Sequence, residues 1–203
     1  MSGPTVIKLG GSFAFSPELR DWIKAIVVHV GRFIIVPGGG PFADTVRKAQ
    51  TQMRLDERTA HRMALLAMEQ YGCAIAGMNK RLRLADSLES IRLALADGKV
   101  PVWLPAQMVL ADTAIPQSWD VTSDSLAAWL AGRIGAERLI LVKHVESMES
   151  TMLASNLVAC NMLDRAFPRF LIASGVPGFI LGPLDYQSIR FGVDPSGFVR
   201  IVA

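Results

Sequence analysis

Two short apolar runs, Val6-Ile7-Lys8-Leu9 and Phe33-Ile34-Ile35-Val36, empty straight into glycine clusters, Gly10-Gly11-Ser12 and Pro37-Gly38-Gly39-Gly40. Apolar, β-branched runs this short, bounded by Gly or Pro, are too brief for helices and read as buried strands. Glycine lets backbone N–H groups converge on an anion with no Cβ in the way, and the positive end of a following helix adds to the field. Lys8 would bring a point charge to the same anion. Two such cradles on strand ends suit a donor phosphate and an acceptor that meet between them. Neither is a nucleotide fingerprint alone: G-x-x-x-x-G-K-S/T is absent, and no G-x-G-x-x-G follows a strand. A single Gly-Gly-Ser after a strand also fits an ordinary tight turn.

Strand and helix patterns alternate through the rest of the chain, which predicts an α/β fold: a three-layer α/β/α sandwich around a mainly parallel sheet. Ser16-Pro17-Glu18 reads as a helix start with proline at its first position, the helix running to about Val30. A second helix is expected from Phe42 to about Met53, and a long one from Glu57 to about Met78 with Asp56 as its cap. That long helix is apolar around most of its circumference from Ala64 to Met78, which fits either the centre of a large domain or a subunit interface. Asp86-Ser87 opens another helix closing at Asp97-Gly98, followed by a strand, Val100–Leu104, and a proline-bounded loop from Pro105 to Ser118. Thr122 or Ser123 begins a helix that Gly135 stops, before a strand at Leu139–Val142. Residues 145–158 read as an irregular excursion. A helix from about Asn161 to Ser174 would be kinked or split by Pro168. Strands at Val176–Leu181 and Phe198–Val202 finish the sheet.

The 203 residues predict one domain, 1–203. Although 51% of residues are hydrophobic, no stretch is long enough to span a bilayer, so no membrane partner is expected. Met1-Ser2-Gly3-Pro4 leads directly into a strand, which is read as leaving no room for a signal peptide. Cys73 and Cys160 form no framework and, like His29, His61 and His144, no metal-ligand spacing, so no protein-bound metal is expected and a reducing cytoplasm fits best. The net charge of +3 is dispersed apart from Lys80-Arg81-Leu82-Arg83, which reads as a solvated helix end. A nucleic-acid surface would want a basic stripe with stacking partners, so none is expected.

A third motif lies at Trp119-Asp120-Val121-Thr122-Ser123-Asp124-Ser125-Leu126-Ala127-Ala128, with hydroxyls and two acids at a helix start. Asp120 belongs to the entry loop and Asp124 to the first turn, where it would at least complement the helix dipole. Ala127, Ala128 and Ala131 are small enough to let the helix sit close to the sheet near the glycine loops.

Together, Lys8-Leu9-Gly10-Gly11-Ser12, Pro37-Gly38-Gly39-Gly40-Pro41-Phe42-Ala43-Asp44 and Thr122-Ser123-Asp124-Ser125-Leu126-Ala127-Ala128 resemble, in order, the motifs of the amino-acid kinase superfamily. The last looks like the Thr-Thr-Asp-Thr-Ala-Ala segment of uridylate kinases. The nearest look is to the small kinase of methanofuran biosynthesis, through Asp56-Glu57-Arg58-Thr59-Ala60-His61-Arg62-Met63-Ala64 and Trp119–Asp124. The resemblance implies transfer of the ATP γ-phosphoryl, with Mg2+ accompanying the nucleotide, to a small phosphorylated acceptor such as an aminomethyl-furanmethyl phosphate. It implies that Lys8 holds the transferring group, that Gly10, Gly11 and Ser12 donate to it, and that Gly38, Gly39 and Gly40 line the acceptor side. Asp124 would orient Lys8 and sit in the magnesium environment. The family's Val-Asp-Gly-Val turn is replaced by Lys143-His144-Val145-Glu146-Ser147-Met148. The second active-site lysine is not recognisable; Lys143 at a strand end is the candidate for its charge, ahead of Arg165 and Arg169. His61 and Arg62 are acceptor-side candidates, with Arg54 and Arg58 nearby; all fit a wet helix face as well. Alternatives are a carboxylate or carbamate kinase, or a non-catalytic family member that binds a nucleotide or metabolite, which the altered turn favours. A homodimer or larger closed oligomer through the Ala64–Met78 helix is expected.

Overall fold

The first apolar run forms β1 (Thr5–Leu9) and the second β2 (Phe33–Pro37), each buried along its whole length. They pair in parallel, with Lys8 beside Val36 and Leu9 beside Pro37. The computed structural model describes residues 3–145, 150–190 and 197–202. Its sheet also contains β3 (Leu82–Ala85), β4 (Val100–Trp103), β5 (Arg138–Val142), β6 (Thr151–Leu153), β7 (Gly178–Leu181) and β8 (Val199–Val202). The order is β3-β4-β2-β1-β5-β7-β8-β6, parallel throughout except for β7 against β8. Because β1 and β2 are adjacent and parallel, both glycine loops leave the same edge of the sheet. Ligand sites of open α/β sheets lie beyond that carboxyl edge.

Helices cover both faces: α1 (Glu18–Val27), α2 (Gly40–Met53), α3 (Glu57–Ala76), α4 (Leu88–Ala96), α5 (Ala106–Ala111), α6 (Ser123–Ile134), α7 (Ala154–Ala159), α8 (Phe167–Ser174) and α9 (Tyr186–Arg190). Val6 and Val36 point into a core with Leu126 and Ala127 of α6 and Phe167 of α8. Ile7 and Leu9 point into a second core with Trp22 and Ile26 of α1. This period-2 alternation puts Lys8 on the same face as Val6, toward α6. α3 feeds both cores, Leu65 and Met68 into one and Tyr71 and Ile75 into the other. Its nearly all-round apolar character is thus largely spent inside the chain, with Leu66 and Cys73 left exposed.

Local signals act as their chemistry dictates. The Asp56 carboxylate accepts from the Thr59 N–H at 2.7 Å, Ser87 and Ser90 cap α4 reciprocally, and Gly135 ends α6 at φ 63°. Several expectations need correction. Pro168 lies in the first turn of α8, which starts at Phe167 instead of Asn161 and is not kinked; proline's missing N–H has no acceptor to lose there. The 105–118 loop contains α5, and the described part of 145–158 contains β6 and α7. The Lys80–Arg83 run is not a helix end, since α3 stops at Ala76 and Leu82-Arg83 begin β3. α1 ends at Val27, short of Val30. No described helix is long and apolar enough to cross a membrane.

Candidate active site

The chemistry is concentrated where β1, β5 and the start of α6 converge. Ala127, Ala128 and Ala131 are fully buried and let α6 lie directly on β1 and β5. Its first turn then drops the Asp124 carboxylate between two ammonium groups. Asp124 Oδ1 is 2.9 Å from Lys8 Nζ, and Lys143 Nζ donates to Oδ2 at 2.6 Å. Lys143, just past β5, also donates to the Met162 carbonyl at 2.7 Å. Lys8 and Asp124 are each only 4% exposed. Burial works against the charged carboxylate, yet Lys143 and Lys8 bring Asp124 down to about 2. Burial also lowers the Lys8 ammonium, with Lys143 repelling it and Asp124 opposing the shift. The result is a buried plus–minus–plus frame with one positive charge in excess.

Asp164 fixes the helix that carries this frame. Its carboxylate accepts from the Thr122 N–H (2.9 Å), the Thr122 hydroxyl (2.8 Å) and the Ser125 N–H (3.1 Å), and also from the Ser125 hydroxyl. It therefore caps α6 from a distant loop, a task Thr122's own side chain does not perform. The first-turn N–H groups of Ser123 and Asp124 have no intrahelical acceptor and supply positive field at the site's mouth. Burial, then the neighbouring Asp124, raises the Asp164 carboxyl.

The glycine loops touch through their backbones. A Cβ on Gly11 would lie 2.3 Å from the Gly40 nitrogen, and one on Gly38 would lie 2.4 Å from the Gly11 nitrogen. Gly40 has φ +56° as well, which a side chain rarely adopts. Two cavities open beyond these loops. One, of about 310 Å³, is lined by Gly11, Ser12, Gly39, Gly40 and by His61 and Asp44. The other, of about 480 Å³, is lined by Lys8, Asp124, Lys143 and Asp164. They share Arg47, Trp119, Thr122 and Ser123.

The structure thus brings together Lys8, Asp124 and Lys143 against one cavity and Gly11, Ser12, Gly39, Gly40 and His61 against the other. Gly10 and Gly38 line neither cavity; a Cβ on Gly38 would meet the Gly11 backbone, and one on Gly10 would lie 3.1 Å from the Val142 carbonyl oxygen of β5. Arg62 is exposed on α3 and lines neither. In the altered turn, Lys143 to Val145 are described and 146–149 lie outside the described residues; His144 stacks on the Phe13 ring at 4.0 Å between centroids. His61 is 3% exposed; its Nδ1 lies 3.2 Å from the Ser118 carbonyl, and its Nε2 is buried without a partner.

Sequence reasoning gave no role to Arg47 or Asp164. The Arg47 guanidinium lies 3.8 Å over the Trp119 ring, and Trp119 is pinned by its Nε1–H donating to Gln50 Oε1 at 2.6 Å. The spacing Gly40, Asp44, Arg47 is a helix-face signal that could have found the arginine. Asp164 has no such signal, because its partners lie about 40 positions earlier in the chain.

Comparison with known proteins gives a consistent result. The amino acid kinase family profile matches residues 3–148. A curated relative, the (5-(aminomethyl)furan-3-yl)methyl phosphate kinase of Methanocaldococcus jannaschii, is 23% identical over 179 residues, 82% of each chain. Among solved structures, the uridylate kinase of Archaeoglobus fulgidus superposes with a TM-score of 0.72 at 15% identity, over 98% of both chains. The UMP kinase of Ureaplasma parvum gives 0.72 at 14% identity, over 100% of both.

Proposed function

The chain belongs to the amino acid kinase family, and we propose that it transfers the γ-phosphoryl group of ATP to a small acceptor that already carries a phosphate. The observation that carries this reading is the pair of cavities, one against the Lys8–Asp124–Lys143 frame and one against the glycine loops, joined at Arg47, Trp119, Thr122 and Ser123. ATP occupies the frame side and the acceptor the glycine side. An oxygen of the acceptor's phosphate bonds to the γ-phosphorus as the bond to the ADP oxygen breaks, so monoester becomes diphosphate and ATP becomes ADP. Catalysis of this kind is mostly alignment and neutralisation of spreading charge. Lys8 and Lys143 provide the charge, Asp124 holds both, and Gly11 and Ser12 offer backbone donors in the acceptor cavity.

Among the described residues no group of three His, Cys, Asp or Glu could hold a metal by itself. Both Asp124 oxygens face lysines and Asp164 is committed to α6. A magnesium ion would enter with the nucleotide and would add positive charge beside Lys8 and Lys143. Arg47 suits an acceptor phosphate, and the acceptor in the relative's name is such a monoester. Cys73 and Cys160 are both free, which suits a reducing cytoplasm.

The test is ADP release and 31P NMR with ATP–magnesium and a panel of phosphate monoesters led by the aminomethyl-furanmethyl compound. A diphosphate product is expected. Binding of ATP and acceptor without ADP release from any pair would replace this reading with that of a non-catalytic binding protein. A homo-oligomer resting on the exposed side of α3, at Leu66 and Cys73, belongs to the same proposal. Light scattering that returns the monomer mass at micromolar concentration would remove it.

A further inference from the structure

The Lys8–Asp124–Lys143 frame is held unevenly. Lys143 donates to Asp124 Oδ2 at 2.6 Å, but Asp124 Oδ1 has no hydrogen-bond partner, although Lys8 Nζ lies 2.9 Å away. Charge draws Lys8 to that oxygen without a directed bond to fix the approach. The two lysines have fixed roots, since β1 and β5 are registered in the sheet with Lys8 beside Leu141. The carboxylate between them rides on α6. Ala127 and Ala128 let that helix lie close, but apolar contact has no direction. The register of α6 must come from another contact.

The segment between α7 and α8 makes that contact. Asp164 Oδ2 accepts from the Thr122 N–H, the Thr122 hydroxyl and the Ser125 N–H, and Oδ1 accepts from the Ser125 hydroxyl. Two residues earlier, the Met162 carbonyl takes a second hydrogen of Lys143 at 2.7 Å. Two residues later, the Ala166 N–H donates to the Asp120 carbonyl at 3.0 Å. One short strap thus grips the Lys143 ammonium, the loop before α6 and the first turn of α6 together. The charge of Asp164 is of no use to the donor: a carboxylate lining that cavity repels phosphates. Its hydrogen bonds are what the site gains from it.

We infer that Asp164 is a positioning residue for phosphoryl transfer: through Thr122 and Ser125 it sets the first turn of α6, and so places the Asp124 carboxylate between Lys8 and Lys143. It acts by hydrogen bonding and not by its charge. The inference rests on the kinase reading for the reaction it serves, but one of its tests does not require turnover.

Asparagine separates bonding from charge. With its carbonyl oxygen at the place of Oδ2 it still accepts from Thr122 and from the Ser125 N–H, and its amide donates to the Ser125 hydroxyl oxygen. Asp164→Asn should therefore keep kcat within about threefold of wild type, because its hydrogen bonds are kept. Asp164→Ala should lose about one to two orders of magnitude in kcat with the acceptor KM unchanged, as a misplacement of about 1 Å does. Ser125→Ala touches neither cavity and leaves the charge on Asp164. It should lose kcat severalfold, and it carries the test if Asp164→Ala does not fold.

The measurement without turnover is an NMR titration of the Lys8 ε-CH2 signals in the unliganded protein. Asp124 raises the Lys8 ammonium against burial, and the charge of Asp164 contributes less than that of Asp124 or Lys143. Lys8 should titrate lower than wild type in Asp164→Ala and Ser125→Ala, and close to wild type in Asp164→Asn. Equal losses of kcat in Asp164→Asn and Asp164→Ala overturn the inference, as does an unmoved Lys8 in both Asp164→Ala and Ser125→Ala. The expected Lys8 shifts without ADP release from any acceptor leave the positioning role standing and remove the kinase reading. ADP release by the wild type with Lys8 unmoved in both variants does the reverse.

Discussion

Lys8→Ala should lower turnover by two to three orders of magnitude while the protein stays folded. The ammonium is buried, held at 2.9 Å from Asp124, and borders the cavity assigned to the donor phosphates. A charge fixed in a dry site needs no reorganisation as the phosphoryl group moves, and losing one such donor costs roughly 3–4 kcal/mol of barrier. The fold should survive because Asp124 keeps Lys143 as a partner at 2.6 Å, so no carboxylate is orphaned. The check is kcat at saturating ATP and acceptor, beside a thermal melt. Wild-type kcat in the variant would reduce Lys8 to a strand-end charge with no part in transfer.

Asp124→Asn should damage stability as well as rate. Without the carboxylate, two ammonium groups face each other in a buried place. Removing one partner of a buried ion pair typically costs about 3–5 kcal/mol. Lys8, already lowered by burial, should then give up its proton more readily. Turnover should fall, and the loss in the Lys8→Ala/Asp124→Asn double variant should be smaller than the sum of the two, since both act on one phosphoryl group.

Acidification provides an independent reading of the same carboxylate. Its folded value is about 2 against an ordinary 3.8. A group depressed in the folded state contributes stability that is fully present above 3.8 and is lost as pH falls toward 2. Urea denaturation should therefore show a wide gap between wild type and Asp124→Asn at pH 7 that narrows between about pH 4 and pH 2. A gap of constant size would mean that shape rather than charge sets the cost.

What the chain disclosed in advance follows from where burial is greatest. β1, β2, β4, β5 and β7 are interior strands, written as apolar runs that punctuation residues enclose, and each was legible. The strands that escaped notice are β3 and β6, the two edges of the sheet. β3 exposes Arg83 and Leu84 at its middle, and β6 exposes two of its three residues. Such segments lack the apolar run that marks a buried strand, and charge on an edge guards against pairing with another chain. The same physics explains the basic run that resembled a solvated helix end. At the site, Lys8 and Asp124 were visible because they sit inside motifs. Lys143 was visible only as a strand-end charge until the fold brought it to Asp124. Arg47 needed the helix periodicity and a tryptophan about 70 positions away, and Asp164 needed a tertiary contact that no local pattern announces.

The interlocked glycine loops limit how the enzyme can open and close. Where a single added carbon would collide with the opposite backbone at 2.3 or 2.4 Å, the two loops have no room to slide past each other. The spacing between the two loops is then a property of main chain and sheet, insensitive to side-chain rearrangement. The contact of Trp119 with Arg47 and Gln50 of α2 is made by side chains instead. The border between the two cavities is thus closed by side chains, while the glycine loops meet through main chain.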